Sequence, residues 1–160
     1  GRRRYYSSPP SFYFNLFFKN AALVERMARS GSIVITGGGG GIPVYVDGEG
    51  MLQPLEGVID KDLASAMIGA RVKADELYIL TDVPYIYKDF RKPTQEVLEF
   101  LDYADAMKYL EAGTFGEGSM APKIRACLSF VEKGGQKAVI TEATKLEDRR
   151  YGSKITMHYD

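Results

Sequence analysis

Five consecutive glycines, Gly37 to Gly41, stand in the first third of this 160-residue chain. Glycine loses more conformational freedom on folding than any other residue, so such a run is not there for propensity. What it offers is a backbone that turns sharply and lets another group come close. The run follows Ser32–Thr36, whose Ile-Val-Ile centre predicts a buried strand. Ile42-Pro43-Val44-Tyr45-Val46 resumes a strand-like pattern at once. The glycines are therefore read as a loop inside a domain, with a flexible linker as the alternative. Bare amide N–H groups at a strand end commonly cradle an anion.

The length allows one core, and one domain is expected. Basic and acidic residues balance at 21 each, which leaves no footprint for a nucleic-acid partner. A single cysteine excludes an intrachain disulfide and fits a reducing compartment. With one Cys and one His the zinc spacings are absent, and no residue is read as a metal ligand. Residues 1–20 read as an irregular aromatic arm, broken by Pro9-Pro10, ahead of an α/β domain over 21–160. The apolar run Ser11–Phe18 after three arginines superficially resembles a signal peptide. It is too short to span a bilayer, carries Asn15 and lacks a small-residue cleavage pattern, so no membrane partner is expected. Gly1 in place of Met suggests a processed chain or a piece of a longer one.

Helical spacing predicts helices at Ala21–Arg29, Asp60–Arg71, Tyr103–Ala112 and Ala121–Lys133. In the second, Leu63, Ala66, Met67 and Ala70 share a face. In the fourth, Ile124, Cys127, Leu128 and Val131 do. Asp102 is a capping residue, and Pro122 sits early in its helix, where it is well tolerated. Strands are predicted at Leu77–Thr81, Lys137–Thr141 and Lys154–Met157, with 82–97 as a loop. Asp47-Gly48 between Tyr45-Val46 and Met51-Leu52 signals a β-hairpin. Helices alternating with short apolar strands predict an α/β fold, a mainly parallel sheet with helices on both faces.

The phosphate-loop pattern ending in Gly-Lys-Ser/Thr is absent. Gly116-x-Gly118-x-x-Ala121 meets a looser dinucleotide pattern but does not follow a strand directly. Cys127 reads as core, and His158 has no visible acid or nucleophile partner. What remains is a pair of helix starts. Asp60-Lys61-Asp62 opens one, and Lys123 lies in the first turn of another after Gly118-Ser119-Met120. A helix start with a lysine and small residues before it suits an anion, and two of them suit a phosphoryl group in transfer. Simple capping is the alternative for Asp60 and Asp62, and a solvated surface lysine the alternative for Lys123.

Four blocks, in order, carry a resemblance. They are Ile33–Val44, Gly57–Ala64, Leu80–Val83 with Tyr87 and Lys92-Pro93, and Gly118–Lys123. Together they resemble the C-terminal half of carbamate kinases, in the amino acid kinase superfamily. The resemblance implies that Lys61 contacts the transferred phosphoryl group, Asp62 orients the lysines, and Lys123 binds the nucleotide's terminal phosphates. It implies that Thr81, Asp82, Val83 and Tyr87 border the adenosine and that Gly118, Ser119 and Met120 line the nucleotide groove. Gly38, Gly39, Gly40 and Gly41 would shape the carbamate and phosphoryl end. The implied reaction moves phosphate between ATP or ADP and carbamate or carbamoyl phosphate, with Mg2+, in a cytoplasmic homodimer. Pro84 stands where the family usually has an acidic residue, and Asp89 where it has Asn. The family's N-terminal half has no counterpart here, so the chain alone is expected to be incomplete and inactive. Two alternatives remain: a non-catalytic nucleotide-binding module, and a related kinase acting on another small acceptor.

Overall fold

The structure, a computed structural model, describes residues 5–6, 21–37, 44–54 and 58–158. Its elements in chain order are β1 (Tyr5–Tyr6), α1 (Ala21–Arg29), β2 (Val44–Val46), β3 (Leu52–Pro54) and β4 (Val58–Ile59). They continue with α2 (Lys61–Arg71), β5 (Glu76–Thr81), β6 (Ile86–Lys88), β7 (Glu96–Leu98) and β8 (Phe100–Asp102). The last are α3 (Tyr103–Glu111), α4 (Met120–Glu132), β9 (Lys137–Glu142) and β10 (Ser153–Thr156).

The short apolar strands build a four-stranded sheet in the order β5-β9-β10-β8, with β9 buried along four consecutive residues. β5 and β9 run parallel in register from Glu76 opposite Lys137 to Thr81 opposite Glu142. β10 is antiparallel to β9 and parallel to β8. The sheet is thus mostly parallel and flanked by helices, as the α/β pattern predicts. Ile79, Ala138, Ile140, Ile155 and Leu101 enter one core cluster with Ala66 of α2, Ala106 of α3 and the apolar stripe of α4. Cys127 lies in that cluster, fully buried. Helix α2 packs closely on α4 because Gly69 faces the Phe130 ring, where a Cβ would stand 3.0 Å from Cε2.

Local chemistry fixes the ends of these elements. Asp60 caps α2, accepting the N–H groups of Asp62 and Leu63 at 2.9 Å each. Asp102 caps α3 through the N–H of Asp105. In the β2–β3 turn, Asp47 accepts from the N–H groups of Glu49 and Met51 and from the Gln53 amide.

Three expectations differ from the structure. Ser32–Thr36 forms no strand, and Ile33 and Ile35 are each 97% exposed. A strand needs a ladder for its backbone N–H and C=O groups, and no described strand pairs with these residues. Gly37 follows in the left-handed region (φ 73), where a Cβ would stand 2.6 Å from Cδ1 of Ile68, so a side chain there would be strained and would displace that methyl. Gly38 to Gly41 lie outside the described residues. Second, Tyr5–Tyr6, in the arm expected to be irregular, pair in parallel with β4.

Third, the expected loop 82–97 contains an antiparallel hairpin, β6–β7. Pro84 and Pro93 lie outside its two three-residue strands, so neither removes a ladder donor. One buried hydroxyl joins this hairpin to the sheet. Ser153 Oγ accepts the Ile86 N–H at 2.7 Å and donates to the Leu98 carbonyl at 2.6 Å. Ser153→Ala leaves both backbone groups buried without that partner, at a cost of about 1–3 kcal/mol. Urea unfolding of the variant measures the loss, and an unchanged midpoint would contradict this account of the anchor.

Candidate functional site

The parallel pairing of β5 and β9 brings their C-terminal ends side by side, with Thr81 next to Glu142. Ligands in open α/β sheets bind at such strand ends. A cavity of about 340 Å³ opens there. Thr81, Asp82 and Val83 form the wall that continues β5. Tyr87, Phe90 and Arg91 form the wall from the β6–β7 hairpin. Thr114, Phe115 and Gly116, from the turn before α4, close a third side. Ser119, Met120 and Lys123 complete it from the start of α4.

The charged end of the site comes from two helix starts. Lys123 Nζ donates to Asp62 Oδ2 at 2.8 Å, and Lys61 Nζ lies 3.7 Å from the same oxygen. The side chains of Asp62 and Lys123 are 11% and 14% exposed, that of Lys61 70%. The alternatives left open by spacing now separate. Asp60 is the cap, whereas Asp62 turns away from α2 to bridge two ammonium groups. Lys123 is not a solvated surface lysine. Lys61 stays exposed, its ammonium at the edge of contact with the same carboxylate.

The expected supply of free amides at the start of α4 is not there. The N–H groups of Ser119, Met120 and Ala121 all converge on the Gly116 carbonyl, at 3.1–3.2 Å, and Pro122 has none. Positive charge at this wall therefore comes from Lys123 and the helix dipole. Gly118 is exposed and does not line the cavity; Gly116 takes that place.

The hairpin wall is aromatic. Tyr87 and Phe90 rings lie 5.5 Å apart. Burial raises the Tyr87 phenol above its ordinary range, helped by Tyr85 and Glu142. Tyr85 packs on Tyr151, whose hydroxyl donates to Glu142 at 3.2 Å. Below them the hairpin loop is tied by Asp89, which accepts from Lys92 Nζ at 2.7 Å and Thr94 Oγ1 at 3.1 Å. The Lys92 bond holds the Asp89 carboxyl below its usual range.

Phe90, Arg91, Thr114 and Phe115 were not singled out in the sequence, and Gly116 only in a dinucleotide pattern that does not follow a strand directly. The alternation Tyr85, Tyr87 against Val97 across Pro93 was the available signal for a hairpin, and the hairpin carries Phe90 and Arg91. Mg2+ finds no resident cage. Among the described residues no group of three or more His, Cys, Asp or Glu side chains could hold a metal, and Asp62 is committed to two lysines. A magnesium ion here would arrive on a ligand's phosphates. Among the described residues no helix is long and apolar enough to cross a membrane.

Residues 15–142 match the model of the Amino acid kinase family. The chain is 44% identical over 119 residues to the carbamate kinase of Thermoplasma acidophilum, covering 74% of this chain and 39% of that protein. It is 40% identical over 135 residues to that of Halobacterium salinarum, covering 82% of this chain and 44% of the relative. Among solved structures, carbamate kinase from Giardia lamblia bound to AMP-PNP superposes with a TM-score of 0.80 at 29% identity, over 88% of this chain and 50% of that one. The chain thus spans about two-fifths of the length of these curated relatives.

Asp62 and Lys123 are in contact, so their substitutions should not add. In a cycle of Asp62→Ala and Lys123→Met, a coupling of roughly 1–3 kcal/mol is expected by chemical denaturation. Simple additivity would show that the pair does not hold the two helix starts. Cys127 gives an independent check. Its thiol is buried, and burial pushes its pKa well above the usual range. Thiol reagents should label it only as the protein unfolds, and prompt labelling of the native chain would contradict this packing.

Proposed function

The chain belongs to the Amino acid kinase family, and from that premise we propose that it forms the nucleotide-binding half of a carbamate kinase-like phosphotransferase. The proposed reaction moves phosphate between ATP or ADP and carbamate or carbamoyl phosphate. The observation that carries this reading is Lys123, which lines the cavity and is held by the Asp62 carboxylate, itself 3.7 Å from Lys61. Similarity to a carbamate kinase bound to AMP-PNP supports a nucleotide as occupant.

Under this reading the β5 end and the hairpin hold the adenosine, and Lys123 holds the terminal phosphates. Asp62 fixes Lys123 and keeps Lys61 near it. Phosphoryl transfer needs positioning and positive charge more than covalent chemistry, which suits two lysines on rigid helix starts. Lys61, exposed, would meet the charge that develops on the moving phosphoryl group. Gly38 to Gly41 are proposed to shape the carbamate end. The complete protein is proposed to be a cytoplasmic homodimer, with Mg2+ carried by the nucleotide.

Calorimetry of the folded chain with ADP tests the site directly: binding is expected, and its absence would remove the nucleotide reading. In a full-length protein carrying this half, the two lysines should fail differently. Lys61→Ala should lower kcat by roughly a hundred- to a thousandfold, the scale of a lost transition-state contact. Lys123→Ala should raise the nucleotide KM at least as much as it lowers kcat, because it meets charge already present in the ground state. Steady-state kinetics decide, and near-normal turnover by Lys61→Ala would remove the phosphoryl-transfer assignment.

A further inference from the structure

The cavity lining includes two cations, Lys123 and Arg91. Lys123 is largely neutralised by Asp62 at 2.8 Å. Arg91 is not: among the described residues it enters no ion pair with a carboxylate. Its guanidinium lies 5.2 Å from the centroid of the Phe90 ring, itself part of the lining. Stacking in this way occupies the face of the guanidinium and leaves its N–H edge free, and that planar fork matches phosphate oxygens.

The backbone beneath is built to hold this position. Arg91 sits at φ 63 and Asp89 at φ 50, a region that non-glycine residues rarely adopt. Three sets of bonds keep the loop there. The Arg91 N–H donates to Gln95 Oε1 at 2.8 Å, Asp89 accepts from Lys92 and Thr94, and the Lys92 N–H donates to the Asp89 carbonyl. An arginine that merely covers surface needs no such support. Backbone strain of this kind collects where a side chain has to be aimed.

We propose that Arg91 is a second phosphate-recognising cation of the cavity, which binds the nucleotide's phosphates from the hairpin side while Lys123 binds them from α4. The proposal rests on the reading that the cavity takes an adenine nucleotide. It adds a contact that acts in ground-state binding and depends on charge. Arg91 therefore favours nucleotides with more phosphates over the bare nucleoside.

The test is calorimetric titration of the 160-residue chain with ADP and with adenosine, at low and high salt. It compares the unsubstituted protein with Arg91→Ala and Arg91→Asn. Asparagine tolerates the left-handed backbone, so the second variant keeps the loop while removing the cation. Circular dichroism checks both folds. Both variants should lose roughly ten- to a hundredfold in ADP affinity, the scale of a hydrogen bond to a charged group. Adenosine affinity should stay within about twofold, and the salt dependence of ADP binding should flatten. Unchanged ADP affinity in both variants overturns the proposal. An equal loss for ADP and adenosine also overturns it, since Arg91 would then only shape the wall. Failure of the unsubstituted chain to bind ADP instead overturns the nucleotide reading, and this inference falls with it.

Discussion

The ion pair between Asp62 and Lys123 is the contact on which the rest of the site depends. Two charges are withdrawn from water at the starts of α2 and α4, and only a close, well-directed bond offsets that desolvation. The bond exists because the two helices approach closely. Gly69 admits the Phe130 ring, and Ser129 Oγ lies 3.5 Å from the Met67 sulfur on the same interface. The apolar stripe of α4, with Cys127 buried in it, seals the far side. A lysine held this way cannot swing out to solvent, so one wall of the cavity carries a cation of fixed position. Lys61 shares the same carboxylate but stays exposed. One acidic side chain thereby supports a largely buried cation and an exposed one.

The opposite wall is made differently. The β6–β7 hairpin brings Tyr87, Phe90 and Arg91 to the cavity, yet its polar link to the sheet is the Ser153 hydroxyl. Phe90 is 46% exposed, and two residues of its loop hold a left-handed backbone. Ile86 nevertheless seats the hairpin in the core, fully buried. The site thus joins an electrostatic wall to an aromatic one. That division suits a ligand with a charged end and a flat apolar end.

Much of this was legible in the sequence where one period ran long enough. Leu63, Ala66, Met67 and Ala70, and Ile124, Cys127, Leu128 and Val131, placed α2 and α4 to within a residue at each end. The capping role of Asp102 followed from side-chain chemistry and stands in the structure. Thr81, Asp82, Val83, Tyr87, Ser119, Met120 and Lys123 come together at one cavity. What spacing could not give was the link from Asp62 to Lys123, 61 residues apart, nor which of two neighbouring aspartates would cap. The hairpin was missed because three-residue strands lie below the window in which alternation can be counted. Gly118 and Gly116 sit two positions apart in one turn, and only the backbone path decides which faces inward.

The largest departure, at Ser32–Thr36, has a different origin. The Ile-Val-Ile pattern is a sound strand signal, but a strand is a property of at least two segments. Ile33 and Ile35 at 97% exposure contradict what burial asks of isoleucine. β5 stands at one end of the sheet order, so one of its edges has no partner among the described residues. It also leaves Leu80 45% exposed. An apolar segment without a ladder and a six-residue edge without a neighbour are complementary demands. Any strand that met the edge of β5 would run beside Thr81 and so border the cavity. The shape of this binding wall is therefore coupled to whatever pairs there, and β5 is where packing of the sheet and occupancy of the site would influence each other.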